Sequence, residues 1–83
     1  MKTAISTTST EVAGMTEARK TAIGARLRTL RGEQPQRVVA DAIGVTTMAI
    51  SSYERGERVP NDEIKIALAR FFGTSVEALF FAD

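Results

Sequence analysis

The sequence predicts an all-α fold of five short helices around one small core. Three observations carry this. Apolar residues recur at helical spacing, as in Ile23, Leu27 and Leu30 at i, i+4 and i+7. Glycines close the apolar-patterned segments at Gly44, Gly56 and Gly73. No stretch alternates with strand period, and no segment repeats.

At 83 residues the chain has the length of one domain, small enough for its core to be modest. It has no cysteine and no histidine, which removes disulfide staples, thiolate metal sites and the usual general base and zinc ligand. No paired-carboxylate or phosphate-loop constellation stands in for them, so an enzyme is the weakest functional class. No metal or cofactor is expected. No apolar run approaches a membrane span of roughly 18 residues or the core of a signal peptide. A cytoplasmic, nucleoid-associated protein without membrane contact is the expectation.

In chain order, residues 1–15, MKTAISTTSTEVAGM, are rich in Ser, Thr and Ala without a clear period and read as a flexible N-terminal arm. Residues 16–83 form the domain. Thr16 is a candidate N-cap for a first helix ending at Arg31, with Ile23, Leu27 and Leu30 as its buried stripe. Arg26, Arg28 and Arg31 fall near its C-terminus, where cations suit the helix dipole. Gly32 to Gln34 is a tight turn, and Pro35 fits the first position of a second helix that runs to Ile43.

That second helix opens the most informative stretch, Gln36 to Gly56. Val39, Ala40 and Ile43 share one face, and Gly44 can stop the helix in a left-handed conformation. Val45 reads as a plug, Thr46 as the cap of a third helix, and Ile50 and Tyr53 as its inner face. Small Ala40 permits close approach of the two helices. This is the pattern of a helix-turn-helix, which a plain structural hairpin also shares. Asn61 caps a fourth helix with Asp62 and Glu63 in its first turn. Ile64, Leu68, Phe71 and Phe72, extended by Ala67, form its apolar arc. Thr74 and Glu77 have capping-box spacing for a fifth helix, Ser75 to about Phe81, which turns Val76, Leu79 and Phe80 inward.

The net charge of +1 hides an asymmetry. From Arg19 to Arg58 there are eight Lys/Arg against four acids; from Val59 onward there are two against four. Basic residues gather around the hairpin, which suits a polyanion, though a solvated surface has the same composition.

These segments resemble the lambda-repressor-like, Cro-type (xenobiotic response element, XRE) helix-turn-helix family. The likeness spans Ile23 to Phe80, about two thirds of the chain. IGARLRTLR follows the family's first-helix pattern, VVADAIGV its Leu-Ala-x-x-Leu-Gly-Val hairpin, SSYERGERVP its third-helix exit and LARFFGTSVEALF its last junction. Two departures stand out. The turn before the second helix is shorter by about two residues, with Pro35 in place of a Ser cap. Lys65 stands where an apolar residue is common, leaving Ile64 the buried role.

The resemblance implies sequence-specific binding of double-stranded DNA, usually as a dimer on a pseudo-palindrome. The third helix would enter the major groove, presenting Thr47, Met48, Ser51 and Ser52 to base edges. None of the four makes bidentate bonds to guanine or adenine. The resemblance gives Gln36 a phosphate contact at the start of the second helix, with Arg37 beside it. It places Arg55 at a phosphate-facing position, with Arg58 following in the loop. It also pairs Arg31 with Glu54. Adjacent Phe80 and Phe81 cannot both enter one pocket, so a homodimer through the C-terminal helix is expected. The leading reading is a small Cro-like repressor. The competing one is a protein-interaction module on the same fold, such as an antitoxin or adaptor.

Overall fold

Most of the helices begin where a side chain can accept their free N–H groups. The computed structural model describes residues 16–82. Among these the elements are α1 (Glu17–Arg31), α2 (Gln36–Ile43), α3 (Thr47–Glu54), α4 (Asp62–Phe72) and a short π-wound last helix, α5 (Glu77–Phe81). The fold is all-helical. The expected N-terminal arm, residues 1–15, lies outside the described residues.

Thr16 Oγ1 accepts from Arg19 N–H at 3.1 Å, Thr46 Oγ1 from Ala49 N–H at 3.0 Å, and Asn61 Oδ1 from Ile64 N–H at 2.9 Å. Each bond satisfies a donor that a helix start otherwise leaves unpaired. Two expected starts shift along the chain, by one residue at α2 and by two at α5. Pro35 is the N-cap of α2 rather than its first residue, with extended backbone (φ −62, ψ 147) and no side-chain cap. The N-cap of α5 is Val76, which offers no side-chain cap; Ser75, just before it, accepts from Ala78 N–H through its Oγ at 3.0 Å. Thr74 belongs to the end of α4, which its N–H closes on the Ala69 carbonyl at 2.9 Å.

The hairpin turn depends on Gly44, at φ 79 and ψ 34. Its own N–H and that of Val45 both reach the Ala40 carbonyl, at 2.9 and 3.0 Å. A side chain at this φ would be strained, so glycine sets the angle at which α3 leaves α2.

All five helices contribute to one core. Ile23 and Leu27 come from α1, Val39 and Ala40 from α2, Ala49, Ile50 and Tyr53 from α3, Leu68 and Ala69 from α4, and Leu79 and Phe80 from α5. Val45, Ile64, Phe71, Phe72 and Val76 pack against it, partly buried. Leu30 departs from the expected stripe. It is 39% exposed and lies at the rim of an open groove beside Thr74 and Ala78 of the α4–α5 region. The closest approach of α1 to α3 is made at Gly24. A Cβ there would stand 2.8 Å from the Tyr53 carbonyl oxygen and closer still to that of Glu54. Bare backbone is what lets the two helices touch at this point.

Lys65 keeps its side chain only 13% exposed. Its ammonium stands 5.8 Å from the Phe80 ring centroid and 5.1 Å from that of Phe81, with the stem in the protein. An apolar residue is therefore not required at this position. Arg26 has a role its helix position does not suggest. It donates to the carbonyls of Leu79 at 2.7 Å and Ala82 at 3.3 Å, capping the end of α5. No helix among the described residues is long and apolar enough to cross a membrane.

Candidate nucleic-acid interface

The exposed side of α3 is narrow. Ala49, Ile50, Tyr53 and Glu54 face inward and are buried. Thr47 and Met48 are exposed, Met48 at 75%, and Ser51 is half-buried on the same side. Ser52 corrects the sequence expectation: it is 8% exposed. It sits about 100° around the helix from Ser51, toward buried Ala49. The chain also turns back there, with Glu57 N–H on the Ser52 carbonyl at 3.0 Å. Ser52 thus belongs to the wall of the helix and not to its outer face. Arg55, directly after the helix, carries the outer face onward.

Beneath this face lies a polar node. Glu54 has a side chain 2% exposed, and Arg31 one 17% exposed. Arg31 Nε and Nη2 donate to Glu54 Oε2 and Oε1 at 2.6 and 3.0 Å, a two-point contact. The third arm of the guanidinium, Nη1, donates to the Gln34 carbonyl at 2.7 Å. Gln36 Nε2 donates to Glu54 Oε1 at 3.0 Å, and Arg28 Nε stands 3.9 Å from the same oxygen. Burial pushes the Glu54 carboxyl up, but the hydrogen bonds from Arg31 and Gln36 and the nearby positive charges outweigh it. The group is held below the ordinary carboxylate value. Arg31 is shifted upward, first by its hydrogen bond to Glu54. The node ties the end of α1, the turn before α2, the start of α2 and the end of α3 into one rigid unit.

The residues expected at phosphates fall into different states. Gln36, at the first turn of α2, has its side-chain amide committed to Glu54. Arg37 is 83% exposed at the side chain and only 3.9 Å from Asp41, a loose pair. Arg55 is held by Glu57 through Nε and Nη2, both at 2.9 Å, and Nη1 donates to Ser51 Oγ. Arg58 lies over the Tyr53 ring, 5.9 Å from the centroid. Gln36 and Arg37 stand at the N-terminus of a helix that Pro35 leaves without a side-chain cap, an end whose dipole favours an anion.

The two phenylalanines expected at a dimer interface separate. Phe80 is 1% exposed and is among the largest fully buried side chains. Its expected interface role is therefore corrected: it is a core residue, because α5 packs on α1 and carries it inward. Phe81 is 47% exposed and faces out beside Lys65.

A capped, glycine-turned helix pair that offers its second helix to solvent, beside exposed arginines, defines a helix-turn-helix protein. A family model described as Helix-turn-helix matches residues 27–79, and the chain belongs to that family, the lambda-repressor-like or XRE type. No curated protein and no solved structure matches the chain significantly. Membership suggests a DNA-binding regulator. The family is a DNA-binding one and typically non-enzymatic.

Proposed function

We propose that this protein is a sequence-specific double-stranded DNA-binding transcriptional regulator. In this reading it is a small Cro-like repressor acting in the cytoplasm, on the nucleoid, as a dimer on a pseudo-palindromic operator. The observation that carries the reading is the outward stripe of Thr47, Met48 and Ser51 on a helix whose far side is locked to the core by Tyr53 and Glu54. Such a helix can be inserted into a major groove without rearrangement. Gln36, Arg37, Arg55 and Arg58 surround it and would bind phosphates, which position a protein on DNA but carry no sequence information. Phe81 is the apolar residue offered to a second copy. Repression would be steric, by occupation of an operator.

Selection from a random duplex library tests this directly. A recovered consensus with two-fold symmetry supports it, and affinity should fall steeply as salt rises. Failure to enrich any duplex at low salt would leave the interaction-module reading in its place.

A further inference from the structure

Arg55 and Glu57 both lie beyond the last turn of α3, where the chain reverses at Gly56. The reversal brings the carboxylate onto the guanidinium, with both oxygens of Glu57 accepting at 2.9 Å. The remaining arm of Arg55 rests on Ser51, on the outer face of α3. Neither partner is needed by the core, since the two side chains are 49% and 55% exposed. Glu57 is anchored through its own N–H to the Ser52 carbonyl. A phosphate takes an arginine through the same pair of parallel N–H donors that a carboxylate takes. On Arg55 that pair is occupied.

We propose that Glu57 is a built-in competitor for the DNA phosphate at Arg55, limiting the sequence-independent part of the affinity. The proposal rests on the DNA-binding reading. A phosphate reaching Arg55 must displace the carboxylate or share the cation with it. An exposed pair of this type is weak, so displacement is feasible and its cost is a few-fold in affinity. While its donors stay on Glu57, Arg55 is withheld from the phosphates, so the wild-type protein releases about one counterion fewer than its arginines suggest. Because phosphates carry no sequence, the effect is the same on every duplex.

The test uses the full chain and compares wild type, Glu57→Gln, Arg55→Ala and the double variant. Binding is measured across a salt series on a short random-sequence duplex and on a library-selected one. Glu57→Gln keeps the shape of the side chain and removes its charge. It should tighten both duplexes about two- to fivefold at low salt and steepen the salt dependence by about one unit. In the Arg55→Ala background the same change should give no gain. Unchanged affinity in Glu57→Gln overturns the proposal, as does a gain that survives without Arg55, which would be a general charge effect. If wild type binds neither duplex at low salt, the DNA reading itself fails and the competitor role falls with it.

Discussion

Arg31 and Glu54 are separated by 23 residues in sequence and joined by two hydrogen bonds, 2.6 and 3.0 Å long, at a carboxylate almost wholly withdrawn from solvent. The pair is at the junction of three helices. Gln36 adds a third bond to the same carboxylate, so the end of α1 and the start of α2 share one acceptor, at the end of α3. The orientation of the outward face of α3 relative to α2 therefore depends on a charge inside the protein. A buried pair need not stabilise more than apolar residues of the same volume, but losing one partner strands the other.

Glu54→Ala should therefore lower stability by about 3 kcal/mol, which in a domain of this size moves the thermal midpoint by at least about 10 °C. The pH dependence has a definite sign. The folded carboxyl lies below its ordinary value of 4.5, so its contribution is fully present above that value. It is lost as pH falls through the lower, folded value. Melting curves between neutral pH and pH 3 should show wild type losing stability faster than Glu54→Gln across that window. Parallel curves for the two proteins would mean that Glu54 is not preferentially ionised in the folded state.

Gly24→Ala should destabilise the protein, although alanine is the better helix former by up to about 1 kcal/mol. The new Cβ meets the backbone oxygens of Tyr53 and Glu54, which cannot rotate away. Separation of α1 from α3 is the available response, at a cost of about 1–3 kcal/mol. Thermal or urea melting measures the sign, and a stabilised Gly24→Ala variant would show that the helices do not approach this closely.

The local part of this fold was legible from residue chemistry. Thr16, Thr46 and Asn61 cap because a hydroxyl or amide just before an apolar-patterned run has a near neighbour to accept from. Gly44 and Gly73 were readable because a helix C-terminus calls for a left-handed residue, which glycine adopts without strain. What periodicity does not reach is which edge of a helix the returning chain covers. The resemblance puts Ser52 outside with Thr47, Met48 and Ser51, yet it lies on the flank where the chain doubles back at Gly56. Arg26 illustrates the same limit from the other side. Its carbonyl partners at Leu79 and Ala82 lie 53 and 56 residues away, and no spacing rule connects them. The Arg55–Glu57 contact had a visible cue, two opposite charges flanking a glycine expected to close the third helix.

The two phenylalanines should respond oppositely to substitution. Phe80→Ala opens a cavity in the core and should cost about 3–5 kcal/mol of folding stability. Phe81→Ser should change folding by less than about 1 kcal/mol, since the ring is half in solvent already. On the proposed dimer it should instead weaken self-association. Sedimentation across a concentration series separates the two effects. An unaltered dimer in Phe81→Ser, or a wild-type monomer at high concentration with and without DNA, would remove this interface from consideration.

Met48 is the most exposed of the large apolar side chains on the described surface, at 75%. It stands beside Thr47 at the start of the helix proposed to enter the major groove. With Ser52 turned aside, Thr47, Met48 and Ser51 remain to meet base edges from α3 itself. Ser51 is short and its oxygen already accepts from Arg55, so direct apolar readout falls to Met48 and the Thr47 methyl. The group on a base pair that such atoms recognise is the thymine C5-methyl. Met48→Ala should therefore weaken binding to operators that carry a thymine at one particular position, by roughly 1 kcal/mol, and leave other duplexes unaffected. Replacing that thymine by uracil deletes the methyl and nothing else. Wild type should lose the same affinity on the uracil duplex that Met48→Ala loses on the thymine duplex, and the variant should lose nothing further. Additive losses would assign Met48 and the methyl to separate contacts. Equal wild-type affinity for uracil and thymine at every position would show that the sequence is read by some other group.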